Sequence, residues 1–331
     1  MMQNKALIDK IFAIRSDEDF NEAALEVFRF QYKNNELYRR FVDLLSVNPV
    51  AVGSWEDIPC LPIECFKNNK VVSFKQEPMD YFQSSATTSM VTSKHYFFTT
   101  DIYTRSFVKA FSLFWGDPSQ YCILALLPNY LHQTHSSLIF MVRELIKLTG
   151  CEHSGFYDAI TPELVDHLKN PKALGKKLIL FGVSYSLLDL VESYDFSLDD
   201  AIVFETGGMK GRRKEMVREE LHGILTKGLG VQSIASEYGM TELFTQAYSK
   251  GGGIYFAPPW MKVAIRDVNS PLTRIGRGRA GGLDVIDLAN IYSCSFISTQ
   301  DIGRQYDDGG FEVQGRFDYS DTRGCNLLSS M

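Results

Sequence analysis

Apolar residues recur at helical spacing through the first ~50 residues: Phe20, Ala24, Val27, Phe28, Tyr32, Leu37, Phe41 and Leu44. This spacing predicts a helical segment over 1–50, with Ser16 or Asp17 placed to cap it. The pattern then changes to short apolar runs, each followed by an amphipathic stretch. Tyr121–Leu127 precedes Ser136–Leu148, Lys177–Val183 precedes Ser184–Tyr194, and Ala201–Glu205 precedes Arg212–Lys227. Val231–Ala235 opens a further unit. Repeated strand-then-helix units predict an α/β domain with a largely parallel sheet. From about residue 251, glycine-rich turns separate short alternating runs such as Met261–Arg266 and Gly282–Leu288. That region, 251–318, reads as a smaller antiparallel β subdomain. No internal repeat or low-complexity linker interrupts the chain.

Composition agrees with a folded protein. The chain has 331 residues, 45% hydrophobic and 22% charged, enough to bury a sizeable core. Its formal net charge of −6, with no run of Lys or Arg, leaves no footprint for nucleic acid. The most apolar stretches, Cys122–Leu131 (broken by Pro128) and Ser137–Val142, fall well short of the ~20 residues of a membrane helix. Residues 1–10 lack the pattern of a secretion signal. Six scattered cysteines without a Cys-x-x-Cys pair fit a cytoplasmic protein. Four lie in apolar or strand-like surroundings, whereas Cys325 follows Arg323-Gly324 near the chain end.

Four segments could carry chemistry. Ser84-Ser85-Ala86-Thr87-Thr88-Ser89, with Lys94 beyond it, offers hydroxyls and a cation to phosphate oxygens; it also reads as an ordinary polar loop. Glu205-Thr206-Gly207-Gly208-Met209-Lys210-Gly211 lies between a predicted strand and helix, where α/β folds hold ligands, or is a plain turn. Glu237-Tyr238-Gly239-Met240-Thr241-Glu242 follows another apolar run. It joins a ring that can stack on a purine to a carboxylate that can hold Mg²⁺. Asp301-Ile302-Gly303, readable as a turn, and Arg316 offer a ribose acceptor and a phosphate partner.

Two other patterns carry less. Gly276-Arg277-Gly278-Arg279-Ala280-Gly281 has dinucleotide-fingerprint spelling but leads into a predicted strand, so it reads as a hairpin turn. His132 and His135 lack a third ligand at sensible spacing, so packing is preferred to a zinc site.

In this order the segments resemble the adenylate-forming superfamily of acyl-CoA synthetases and phenylacetate-CoA ligases, and within it the LuxE-type acyl-protein synthetases. Ile58-Pro59-Cys60-Leu61-Pro62 with Phe66-Lys67, Ser93-Lys94-His95, Leu127-Pro128-Asn129-Tyr130-Leu131, Ser136-Ser137-Leu138 and Arg323-Gly324-Cys325 complete the resemblance. It implies a large N-terminal domain over 1–318 and a short tail over 319–331. The usual C-terminal lid would be absent or vestigial, since the chain stops soon after Asp318 and no Lys lies beyond Lys262. It further implies roles. Ser84, Ser85, Thr87, Thr88 and Lys94 would lie along the triphosphate of ATP, and Gly207 and Gly208 would flank the adenine. Tyr238, within the segment Glu237 to Met240, would stack on that base. Thr241 would contact phosphate, Glu242 would bind Mg²⁺, Asp301 would hold the ribose and Arg316 would reach the nucleotide. Ala86 and Ser89 replace glycines typical of the phosphate loop, which stiffens it.

The expected reaction is activation of a carboxylic acid, by resemblance a fatty acid, to acyl-AMP, then transfer to a thiol. Cys325 would be the acceptor in a LuxE-type reaction, although it also reads as a small buried residue in a terminal strand. The partner would be an acyl-accepting reductase or a carrier protein. An acyl-CoA ligase, or a partner subunit that binds nucleotide without turnover, are the other readings the sequence allows.

Overall fold

A computed structural model describes residues 4–84, 92–128, 134–207, 213, 214 and 216–317. Three helices open the chain: α1 (Lys5–Ala13), α2 (Asp17–Asn34) and α3 (Glu36–Leu44). Ser16 starts α2 through a capping box. Its hydroxyl accepts from Asp19 N–H at 3.1 Å, and the Asp19 carboxylate accepts from Ser16 N–H at 3.1 Å. Asn35 ends that helix and caps the next, its side-chain oxygen accepting from Tyr38 N–H at 3.0 Å. The buried stripe runs through Phe20, Ala24, Val27 and Phe28 as the spacing predicts. Leu44 does not belong to it. It is 83% exposed because α3 ends there and no element covers it.

A short strand β1 (Leu61–Pro62) and helix α4 (Cys65–Asn68) follow. Next come a hairpin of β2 (Asp80–Gln83) and β3 (Lys94–Phe97), and helix α5 (Asp101–Trp115). The α/β region then runs β4 (Tyr121–Leu126), α6 (Ser137–Thr149), β5 (Gly155–Tyr157), α7 (Pro162–Lys169), β6 (Lys177–Val183) and α8 (Ser184–Ser193). It continues with β7 (Ile202–Thr206), α9 (Arg218–Leu229), β8 (Ala235–Tyr238) and β9 (Ala247–Ser249). These strands form one sheet ordered β5-β4-β6-β7-β8-β9, parallel except for β9. Every residue of β4 and all but the first of β6 are buried, as expected of parallel strands covered on both faces.

The remaining strands are β10 (Ile254–Tyr255), β11 (Met261–Arg266), β12 (Ala280–Asp287), β13 (Phe296–Gln305) and β14 (Phe311–Arg316). They pair antiparallel in the order β10-β14-β13-β12-β11, with β1 added parallel to β13. Residues 276–281 lie at the β11–β12 connection and the start of β12, in keeping with a hairpin turn.

Three expectations change. The strand sought at Val231–Ala235 begins only at Ala235 and carries Glu237 and Tyr238 itself. The helix expected from Arg212 begins at Arg218. Asp301-Ile302-Gly303 is no turn but the middle of the ten-residue strand β13. There the Asp301 carboxylate is held by Arg316 of the paired strand β14.

Candidate nucleotide site

The two large sheets meet where β8 faces β13. Along a strand, successive side chains point to opposite faces. Tyr238 therefore points toward the antiparallel sheet, where its ring packs on Tyr255 and Phe311 at 5.8 and 5.4 Å between centroids. Its hydroxyl donates to Asp301 Oδ2 at 2.9 Å. Burial first, and the Asp301 carboxylate second, hold that phenol well above the ordinary tyrosine pKa. Asp301 stands opposite Arg316 in the β13–β14 register, and Arg316 Nε donates to Asp301 Oδ1 at 2.8 Å. The carboxylate is buried while the guanidinium is largely exposed, so the cation has an open side. Three residues expected at the nucleotide thus converge from three separate segments.

Glu242 joins them. It is buried, and burial raises its carboxyl above the usual range, opposed by hydrogen bonding from Ser93 and by the charges of Arg316 and Lys67. The segment 239–246 links β8 to β9 without regular structure. Gly239 starts it with a close approach. A Cβ there would lie 2.4 Å from Glu237 Oε1 and 3.4 Å from Gln246 Cγ. Met240 accepts at its carbonyl from Leu243 N–H at 3.1 Å, closing the turn that carries Thr241 and Glu242.

Side chains from outside the predicted set fix this turn. His95, on β3, bonds the Thr241 carbonyl through Nδ1 at 3.0 Å and Ser293 Oγ through Nε2 at 2.7 Å. A carbonyl can only accept, so Nδ1 carries the proton and Nε2 accepts from the serine. The imidazole stacks on Phe244 at 4.3 Å, and burial lowers its pKa to about 4, keeping it neutral. Asn290 Nδ2 donates to the Glu242 carbonyl at 2.7 Å, and its Oδ1 accepts from Phe244 N–H at 3.0 Å. Asp287 accepts from Phe244 N–H, Thr245 N–H, Thr245 Oγ1–H and Ala289 N–H at 2.6–3.0 Å. Burial nonetheless pushes its pKa up to about 6. The missed signal was the polar set Asp287, Asn290, Ser293 and Ser295 inside an otherwise apolar stretch. Such residues stay buried only when bonded.

The other expected residues divide. Ser84 sits at the mouth of the β2–β3 hairpin. Its Oγ accepts from Ser93 N–H at 3.0 Å, and its own N–H donates to the Ser93 carbonyl at 3.1 Å. Ser85, Thr87 and Thr88 lie outside the described residues. Lys94 points away from His95, its ammonium 4.6 Å from the centroid of the Tyr81 ring. His135 stacks on that same ring at 4.4 Å, in keeping with packing; His132 lies outside the described residues. Gly207 turns the chain after β7, and Gly208 is outside the described residues, as is Cys325. Cys122 and Cys294 are buried free thiols, and Cys60, Cys65 and Cys151 are half-buried. Glu237, expected with the nucleotide group, faces away from Tyr238 by the alternation of β8. Among the described residues, no three His, Cys, Asp or Glu side chains gather as a metal-ligand set. No helix among them is long and apolar enough to cross a membrane.

The architecture is shared with solved structures of low sequence identity. ATP-bound MatB from Rhodopseudomonas palustris superposes with a TM-score of 0.53 at 15% identity, over 71% of this chain and 47% of that one. 2-Hydroxyisobutyryl-CoA ligase in the postadenylation state, in complex with 2-HIB-AMP, gives 0.66 at 13% identity, over 91% of this chain and 68% of that one. An open conformation of that ligase with 2-HIB-AMP and CoA gives 0.63 at 14%, over 92% and 72%. The chain spans about half the length of the MatB structures it matches. The fold is that of the N-terminal domain of adenylate-forming enzymes. No curated protein sequence matches the chain. A family model does, that of the acyl-protein synthetase LuxE, over residues 12–331. The chain belongs to the LuxE acyl-protein synthetase family.

Proposed function

We propose that the protein activates a carboxylic acid with ATP, giving acyl-AMP and pyrophosphate, and then passes the acyl group to a thiol. The observation that carries this reading is the convergence of Tyr238, Asp301 and Arg316 beside Glu242 at the junction of two sheets. Asp301 offers carboxylate oxygens to the ribose hydroxyls. Tyr238, held by Asp301, borders the adenine with Gly207 and Gly208. Ser84, Ser85, Thr87, Thr88 and Lys94 serve the triphosphate. A carboxylate oxygen of the substrate attacks the α-phosphorus, the bond to the bridging oxygen breaks, and pyrophosphate leaves with the electron pair. Thr241 and Arg316 bind and orient the phosphate region, so catalysis is chiefly positioning and charge neutralisation. One buried carboxylate beside substrate phosphates suits Mg²⁺, which keeps phosphate and water ligands. Held by Glu242, the ion would supply positive charge against the triphosphate.

In the second step a thiolate sulfur attacks the acyl carbonyl carbon and AMP departs. Cys325 is the acceptor or relay in this scheme, and a carrier protein or acyl-accepting reductase is the onward partner. The family points to a fatty acid in a cytoplasmic setting. The test is mass-spectrometric detection of acyl-AMP, with pyrophosphate release, on mixing the protein with ATP, Mg²⁺ and a panel of acids. Acyl-AMP from at least one acid is expected. Its absence across the panel would instead favour a nucleotide-binding subunit without turnover. Covalent labelling of the protein by radioactive acid that persists in Cys325→Ser would remove that residue as acceptor.

A further inference from the structure

The face of β8 opposite Tyr238 holds a second polar cluster. Glu237 points there and stands opposite Tyr248 in the β8–β9 register. Gln246 lies beside them, its side chain and Glu237 Oε1 both within 4 Å of the same point above Gly239. Tyr103, from α5, closes the group. Burial first and the charge of Glu237 second raise the pKa of its phenol, and hydrogen bonding with Ser137 and Gln246 opposes that rise, which places Tyr103, Glu237 and Gln246 together. Tyr103, Gln246 and Tyr248 are at most 2% exposed.

The cluster is left unsatisfied. Glu237 Oε2, Gln246 Oε1 and Tyr248 Oη are enclosed and have no hydrogen-bond partner among the described residues. A folded protein rarely strands one such atom, and three at one place ask for a ligand. Ionised Glu237 Oε2 and Gln246 Oε1 only accept, and Tyr248 Oη accepts as well as donates, so a donor is the one group that suits all three. Glu237 as a residue is half-buried while its Oε2 is enclosed. Desolvation also pushes this carboxyl up to about 7, as expected where its charge has no partner.

We propose that Glu237, Gln246 and Tyr248 form a subsite for a hydrogen-bond donor, a hydroxyl or an ammonium group, carried on the acyl chain of the substrate acid. This rests on the acid-activation reading and refines its substrate class from a plain fatty acid to a donor-bearing one. The direction follows from the strand. Ser236 and Tyr238 face Tyr255 and Asp301, the side given to the nucleotide, and Glu237 faces the other way. Gly239, against which Glu237 rests, leads directly into Thr241 and Glu242. An acid with its carboxylate at the phosphates thus has its chain within reach of the cluster.

The experiment compares acid-dependent exchange of labelled pyrophosphate into ATP for acids of equal chain length. These are unsubstituted, hydroxyl-bearing at successive carbons, and amino-bearing at the same carbons. The wild type should prefer at least one substituted acid over its parent by about tenfold or more in kcat/KM. Glu237→Met and Tyr248→Phe should each reduce that ratio several-fold. The ratio is read within one preparation, so partial unfolding of a variant lowers both terms and leaves it unmoved. A hydroxyl preference and an ammonium preference identify the two kinds of donor. Unsubstituted acids exchanging as well as every substituted one, or an unchanged ratio in both variants, would overturn the inference while leaving acid activation standing. No exchange with any acid would overturn both.

Discussion

Asp301 joins a phenol of one sheet to a guanidinium of its own, and each bond can be tested at a single side chain. Asp301→Asn keeps the shape but removes the charge and one acceptor. It is expected to raise the KM for ATP about tenfold or more, since a lost charge-assisted bond costs on the order of 1.5–3 kcal/mol. Steady-state kinetics with ATP varied at saturating acid checks this. His95 makes a different prediction, about pH. The unfolded imidazole takes a proton near 6.5 and the folded one near 4, so between these values the unfolded chain binds more protons. The stability from neutral His95 is complete above pH 6.5 and falls by about 1.4 kcal/mol for each unit toward 4. His95→Gln should therefore flatten the change in unfolding free energy between pH 7 and pH 5 by about 2 kcal/mol. Urea titrations of both proteins at the two pH values measure it, and equal slopes would remove His95 from this role.

At the scale of elements, the β8–β9 connection depends on its anchors. Asp287 satisfies the backbone N–H groups of Phe244 and Thr245 from the far side of that connection. Asp287→Ala leaves Phe244 N–H with Asn290 but strands the N–H groups of Thr245 and Ala289 inside the core, and is expected to cost about 3 kcal/mol or more, read as a lowered thermal midpoint. Gly303 plays a comparable part for Asp301. A Cβ at that position would lie 2.1 Å from the Glu312 carbonyl oxygen, beside the register shift of β13 against β14. Gly303→Ala should force these strands apart, lower the midpoint and weaken ATP binding together, because Asp301 and Arg316 are their cross-strand pair. The strand-then-helix order was legible in the sequence because β4, β6 and β7 are continuous apolar runs between amphipathic helices. The start of β8 was not. Its Ser236-Glu237-Tyr238 looks like a loop by polarity, and the strand is fixed by pairing with β7 and β9. The mid-strand position of Asp301 was hidden likewise, since its burial depends on Tyr238, sixty-three residues away in sequence.

At the scale of the whole molecule, two sheets and a hairpin meet at one candidate nucleotide site. The parallel sheet brings Tyr238 and the turn bearing Glu242, the antiparallel sheet brings Asp301 and Arg316, and β3 brings His95. Motif order in the sequence pointed to most of these residues. The network behind them, Asp287, Asn290 and Ser293, is a product of tertiary packing that no local spacing carries. The most direct test is pyrophosphate–ATP exchange by the wild type and Glu242→Gln, side by side, with Mg²⁺ and with acid present or omitted. Exchange is expected to require acid and to fall by about a hundredfold or more in Glu242→Gln, as for loss of a group that stabilises transition-state charge. Exchange at wild-type rate in Glu242→Gln, or none with any acid in the wild type, would contradict this expectation.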